Sequence, residues 1–287
     1  MRSSRIIAAC LGILLSASFG HCIAAPSVEE AVTAAIFEKY GARITRNDSG
    51  RVVKLFSGGN PPFSVEDLQE IANFKWLEEL ALNAPEAGDD DWGFLHTLTH
   101  LRKLTIWHGK HFSTLKPFSG LPIESLTVGG CMGLRDLNKE QPEKQRDAVL
   151  TLTGLPQLKA LSLYHSPLAP TDIHLAHIVI HFPLLEDLRL DFNAPRSFET
   201  TTSPSGIASL KKLPLKVLSL ENVNGFTPEH MKAIASIETL ESLLIDARKN
   251  PFDAAPLVAA VRSIRPGLDI QVAGADAKGP PRPSAQP

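Results

Sequence analysis

Three sets of side chains in this sequence have the types and spacing to do chemistry. Trp107-His108 and Tyr164-His165 are two aromatic-imidazole pairs, each a flat apolar ring beside a group that both donates and accepts hydrogen bonds. Asp191, Glu221 and Asp246 are carboxylates that recur at intervals of 30 and 25 residues. His174, His177 and His181 are spaced by three and four. On a helix that spacing puts three imidazoles on one face, and imidazole is a common zinc ligand. No Asp or Glu lies among them on that face, so a polar flank beside Leu175, Ile178 and Phe182 is the competing reading. His96 and His100 are four apart in a segment with weaker helical character. Asp89-Asp90-Asp91 lacks the spaced oxygen ligands and the glycine of a calcium loop. The chain has no Gly-x-Ser-x-Gly elbow, no phosphate-binding loop and no closely spaced cysteine pair. No catalytic residue, metal or cofactor is therefore expected, and the protein is read as not an enzyme.

These residues are positioned by a pattern that returns along the chain. Leu185-Glu186-Asp187-Leu188-Arg189-Leu190-Asp191-Phe192-Asn193 has aliphatic residues at its first, fourth and sixth positions. Further copies are Leu77/Leu80/Leu82, Leu101/Leu104/Ile106, Ile123/Leu126/Val128, Leu158/Leu161/Leu163, Leu215/Leu218/Leu220 and Leu240/Leu243/Ile245. Successive starts are 24, 22, 35, 27, 30 and 25 residues apart, intervals that belong to stacked supersecondary units.

Within each copy the alternation has period two, so each is a short strand with one apolar face. A single unit buries three aliphatic side chains, worth roughly 5–9 kcal/mol, while ordering its backbone costs about 1–2 kcal/mol per residue. It cannot fold alone, and stacked copies share one continuous core. A helical reading fails because Pro, Gly or Asn follows the cores within a few residues, as in Asn193-Ala194-Pro195 and His165-Ser166-Pro167. The repeated Leu-x-x-Leu-x-Leu resembles leucine-rich repeat proteins. That resemblance implies an α/β solenoid, with a curved parallel sheet on its concave face and helices or irregular segments on its convex face. It also implies Asn at the ninth position, where this chain has Pro85, Gly109, Cys131, Ser166, Asn193, Val223 and Arg248. Only one copy keeps Asn, so an asparagine ladder is not expected.

Arg2 and Arg5 precede an apolar run from Ile6 to Phe19, followed by small residues at Ala24 and Ala25. That is the layout of a signal peptide, read as residues 1–24, with an uncleaved anchor as the alternative. Its loss would remove Cys10 and Cys22, leaving Cys131 as a buried structural thiol, and would take the net charge from −2 to −4 by removing two arginines. So mild a charge favours neither nucleic acid nor an anionic membrane as partner. A secreted or periplasmic protein, not inserted in the membrane after cleavage and monomeric, is the expectation.

Ser27, with Glu30 three residues on, opens a helix that Gly41 closes, and Asn47-Asp48-Ser49-Gly50 turns a hairpin. Residues 25–56 are read as an N-terminal cap, 57–250 as the repeats, 251–274 as a C-terminal cap and 275–287 as a disordered Pro-rich tail. The helix, glycine and Arg51-Val52-Val53 stretch are similar to the start of secreted bacterial leucine-rich repeat proteins. Helical returns are expected over 65–74, 173–182 and 228–237, irregular ones after Leu82 and Ile106, and a protruding charged insertion at 138–146.

Equivalent strand positions of neighbouring repeats lie about 4.8 Å apart, so residues distant in sequence form rows. The seventh row reads Asn83, Trp107, Gly129, Tyr164, Asp191, Glu221, Asp246, and the eighth Ala84, His108, Gly130, His165, Phe192, Asn222, Ala247. Trp107-His108 and Tyr164-His165 thus bracket Gly129-Gly130, a gap able to admit a side chain or a sugar ring. The neighbouring carboxylates would favour a basic partner. The competing reading is that Trp107 and Tyr164 pack over the gap and the carboxylates form a solvated edge. Trp107, His108, Tyr164, His165, Asp191, Glu221 and Asp246 are the candidate ligand-binding residues. The expected function is recognition of a protein or glycan through the concave face. The alternatives are envelope assembly through the convex helices or the insertion, and, last, a metal-dependent enzyme using the histidine helix.

Overall fold

The computed structural model describes residues 25–58, 64–84, 86–131, 148–166, 168, 170–192, 202–223, 225–248 and 252–274. The leader-like segment 1–24, the insertion at 138–146, Pro85, Asn193 and the tail at 275–287 lie outside the described residues.

The period-two pattern folds as strands that stack in sequence order into one unclosed sheet. Its members are β1 (Arg43–Arg46), β2 (Val52–Ser57), β3 (Glu79–Asn83), β4 (Lys103–Trp107), β5 (Ser125–Gly129), β6 (Ala160–Tyr164), β7 (Asp187–Asp191), β8 (Val217–Glu221), β9 (Ser242–Asp246) and β10 (Asp269–Ala273). β1 pairs antiparallel with β2, and every later neighbour is parallel. Register keeps equivalent repeat positions side by side. Leu80, Leu104, Leu126, Leu161, Leu188, Leu218 and Leu243 form one row, and Leu82, Ile106, Val128, Leu163, Leu190, Leu220 and Ile245 the next. None of these is more than 2% exposed. The fold is an α/β leucine-rich repeat solenoid, with one sheet face against the core and the other, the concave face, open.

Each strand is entered through a second-position residue whose N–H donates to the carbonyl of its counterpart in the preceding repeat. The chain of bonds runs from Glu78 through Arg102, Glu124, Lys159, Glu186 and Lys216 to Glu241, at 2.7–2.8 Å. The charges alternate along the whole row, and Lys159–Glu124 (2.8 Å) and Lys216–Glu186 (2.7 Å) close as ion pairs.

The N-terminal helix α1 (Val28–Lys39) starts at Ser27, whose Oγ accepts the Glu30 N–H at 3.1 Å. The Glu30 carboxylate does not turn back to the cap. It is buried and accepts the Val52 N–H at 2.6 Å, which fastens α1 to the hairpin. β2 then takes the place of a repeat strand, with Leu55 beside Leu80 and buried Ser57 beside Leu82.

The returns carry α2 (Val65–Glu70), α3 (Asp172–His181), α4 (Pro204–Ser209), α5 (Pro228–Ala235) and α6 (Ala255–Arg262). The two returns expected to be irregular are 3-10 turns at Asp89–Thr97 and Lys116–Phe118, folded around the edge-to-face rings of Trp92, Phe112 and Phe118. α4 is an additional helix, capped by Ser203 with Pro204 at its first position.

Polar side chains bind each return to its neighbour. Asp89 accepts the Ser113 N–H (2.7 Å) and hydroxyl (2.6 Å), and Asp172 does the same for Ser203 (2.7 and 2.6 Å). His230 Nδ1 accepts the Thr227 N–H (3.1 Å), so its proton sits on Nε2, which donates to the Thr202 carbonyl (2.9 Å). This is a capping box with imidazole in place of the usual carboxylate. His174 repeats it, accepting the Thr171 N–H at 3.0 Å.

Candidate functional site

The outward positions of the first six strands assemble a row of rings. Phe56 on β2 meets Trp107 on β4 edge to face at 5.5 Å, across Ala81 on β3. Trp107 Nε1 donates to the Tyr164 hydroxyl at 2.9 Å, across Gly129 on β5. The small residues make this reach possible. A Cβ on Gly129 would lie 2.4 Å from Tyr164 Cζ. The gap expected above Gly129 is therefore filled by the phenol ring itself, which corrects the open gap to a bridged one. Guanidinium groups close both ends of the row, Arg43 4.1 Å from the Phe56 ring centre and Arg189 4.4 Å from that of Tyr164.

What stays open is a pocket of about 340 Å³ beside the rings, lined by Phe56, Gly58, Asn83, Trp107, His108, Gly129, Gly130, Tyr164 and His165. Four of the candidate residues, Trp107, His108, Tyr164 and His165, are brought together here. The two histidines owe their placement to the backbone. His108 (φ 57°), Gly130 (φ 64°), His165 (φ 52°) and Asn222 (φ 56°) hold the same repeat position in the left-handed region, which Gly tolerates and His and Asn enter more readily than most residues. His108 Nδ1 lies 3.1 Å from Asn83 Oδ1. With that oxygen accepting, the neutral ring keeps its proton on Nδ1 and leaves Nε2 as an acceptor.

His165 is held differently. At this position His108 N–H donates to the Gly129 carbonyl and Gly130 N–H to that of Tyr164, continuing the ladder. The His165 N–H instead donates to Asp191 Oδ2 at 2.8 Å, so a side chain replaces a backbone acceptor where β6 and β7 part. Its Nε2 lies 3.3 Å from Glu221 Oε2.

Asp191, Glu221 and Asp246 are buried and engaged, at 1%, 3% and 9% exposure. Asp191 also accepts from Asn222 Nδ2 (2.5 Å), Glu221 from Arg189 Nε (2.7 Å) and Nη2, and Asp246 from Arg248 N (3.1 Å), Nε (2.9 Å) and Nη2. Burial pushes the Glu221 carboxyl up, but the His165 hydrogen bond and the Arg189 guanidinium outweigh it and hold it below the usual range. Burial likewise opposes, and Arg248 overrides, at Asp246, which is also held low. In the row expected to attract a basic partner, Glu221 and Asp246 are already ion-paired, with Arg189 and Arg248, while Asp191 accepts from the His165 N–H and the Asn222 amide. The row's chemistry is to position His165 and Arg189.

The other candidates separate from this site. Cys131 is fully buried, its N–H donating to Ser166 Oγ (3.2 Å), and burial pushes its thiol up to about 12, so it does not ionise near neutral pH. His174 is the cap residue described above. His177 Nε2 faces the Leu152 carbonyl at 2.8 Å, and its ring centre is 4.2 Å from that of His181. His100 stacks on Trp76 at 4.4 Å. Among the described residues, no group of three or more His, Cys, Asp or Glu side chains is placed to hold a metal ion.

Phe56, Arg43 and Arg189 belong to the site although the residue types alone did not single them out. Phe56 was legible by one step of register. Once Leu55 is aligned with Leu80, the residue after it faces outward like Ala81.

No helix among the described residues is long and apolar enough to cross a membrane. No protein-family model matches the sequence, and no curated protein matches it. Among solved structures, an internalin (inlF) from Listeria monocytogenes str. 4b F2365 is similar at 18% identity and a TM-score of 0.40, covering 74% of this chain. The match takes in 51% of the internalin chain, so this chain spans about half of its length.

Proposed function

We propose that this protein is a non-catalytic binding module that recognises a protein or glycan ligand through the concave sheet face, outside the cytoplasm. The observation that carries the reading is the row Phe56, Trp107 and Tyr164. These are large rings left half-exposed in the middle of a sheet whose other face is sealed, with Trp107 and Tyr164 locked to each other before any ligand arrives. Rigid aromatic anchors with polar tips are what interfaces use most heavily per residue, and a ligand that finds them fixed loses less conformational entropy on binding. Residues 1–24, with two arginines, an apolar run and small residues after it, support placing the protein outside the cytoplasm.

The test compares capture of envelope and medium components by the mature chain and by a Trp107→Ala/Tyr164→Ala variant, both checked for thermal unfolding. A component held by the parent and lost by the variant is the expected result. Equal capture by both would move the ligand off this face. A second reading rests on Ile173, Ile180 and Leu184, exposed at 68%, 71% and 49% on the return side. If assembly through the helices is the function, Ile180→Glu rather than the double variant abolishes capture.

A further inference from the structure

Building on that reading, we infer that the pocket beside Trp107 takes one ring of a neutral sugar. The lining decides the charge. None of its nine lining residues is an Asp, Glu, Lys or Arg, so the lining carries no fixed charge. Beside the rings, Arg189 and Glu221 are paired with each other, Glu221 also faces His165, and Arg43 lies over Phe56. An ionic ligand would give up its hydration against a lining that holds no fixed countercharge.

The lining also decides between a sugar and a wholly apolar group. Phe56, Trp107 and Tyr164 offer ring faces and edges, which suit the C–H face of a pyranose. Asn83, His108, the Tyr164 hydroxyl and His165 stand around them. The hydroxyl of Tyr164 accepts from Trp107 and so keeps its own hydrogen to donate, while His108 Nε2 is left to accept. An aliphatic side chain would dehydrate these groups and return nothing to them, at a cost for each. A sugar ring, apolar on its faces and hydroxylated around its edge, meets both demands. The volume, about 340 Å³, lies at the small end of ligand pockets and fits a single ring with its linkage pointing out. Gly130 keeps that side low, since a Cβ there would come within 3.1 Å of the His108 ring.

The experiment is saturation-transfer NMR and calorimetric titration of the full mature chain. The probes are the methyl glycosides of glucose, galactose, mannose and N-acetylglucosamine and their β-linked disaccharides. Glucuronate and glucosamine serve as charged comparators. At least one neutral probe should receive saturation on its ring C–H protons, and Trp107→Ala and, separately, His108→Ala should each weaken it by on the order of tenfold or more. The charged analogue of the best probe should bind more weakly than its neutral parent. His108 is exposed but sits at φ 57°, so its variant is used beside His108→Asn, a residue that also enters the left-handed region, and both are checked for thermal unfolding. If no neutral saccharide binds while a captured component still depends on Trp107, the sugar assignment fails and the concave-face reading stands. If capture is also indifferent to Trp107, both fail. Binding equal to the parent's in both single variants, or preference for a charged comparator, overturns the pocket as a neutral-sugar site.

Discussion

The return side and the open face of this solenoid handle polar groups in opposite ways. On the return side, Asp89, Asp172, His177 and His230 each reach the neighbouring return and complete a backbone donor or acceptor there. On the open face, Asp191, Glu221 and Asp246 serve groups of their own face, and the rings they help to frame stay half in solvent. Stability is thus concentrated where the repeats stack, and the exposed rings can be altered without unpicking the stack. Two faces of one repeat answer to separate demands.

This contrast can be broken in order of effect. His230→Ala deprives the Thr227 N–H and the Thr202 carbonyl of a partner. It should cost about 1–3 kcal/mol in urea unfolding and leave capture by the open face unchanged. Parallel loss of capture would show that the faces are coupled. Gly129→Ala should do the reverse. The new methyl collides with the Tyr164 ring and parts it from Trp107, so capture falls sharply while stability drops by about 1 kcal/mol, the low end for overpacking because the half-exposed ring can swing away.

Acid should strike the two sides in different windows. Burial, with the charge of nearby His181, holds His177 below its usual range, so the folded chain prefers the neutral ring. Stability from this source is present above about pH 6.5 and is lost as pH falls from there, because the unfolded chain takes up the proton first. Glu221 and Asp246 are held low, so their contribution survives that window and is lost only as pH falls through values below the ordinary carboxylate range. Unfolding midpoints against pH should show two steps, and His177→Gln should flatten only the upper one. The smallest effect is expected at Trp92, whose buried indole N–H has no hydrogen-bond partner among the described residues. Trp92→Phe should change stability by less than about 1 kcal/mol, since the lost ring volume is offset by removal of an unsatisfied donor.

Much of this architecture is readable before any coordinates. The strands and their rows follow from Leu-x-x-Leu-x-Leu because one buried face enforces register. α4 escaped because Pro204–Ser209 is six residues long and its only strong signal is Ser203-Pro204. The rows placed Trp107 and Tyr164 on either side of Gly129 but could not say that two long side chains would meet above it. Strand position gives the direction of a side chain, not its reach. The same limit explains the acidic row. Arg189 and Asp191 were known to share a face, yet only packing reveals that Arg189 turns to Glu221 on the next strand. Thr171 and Thr227 are legible as N-caps, but that His174 and His230 take the carboxylate's place in the box is not, since imidazole rarely fills that role.

The alternating second-position row carries a consequence for how such a chain can change its length. Glu78, Arg102, Glu124, Lys159, Glu186, Lys216 and Glu241 form a sequence with parity. Excising one internal repeat brings two like charges into adjacent rungs, whereas excising two restores opposite neighbours at the seam. Viable shortened or lengthened forms of this solenoid should therefore differ by even numbers of repeats. During folding, the same parity penalises a strand that skips one neighbour to pair with the next.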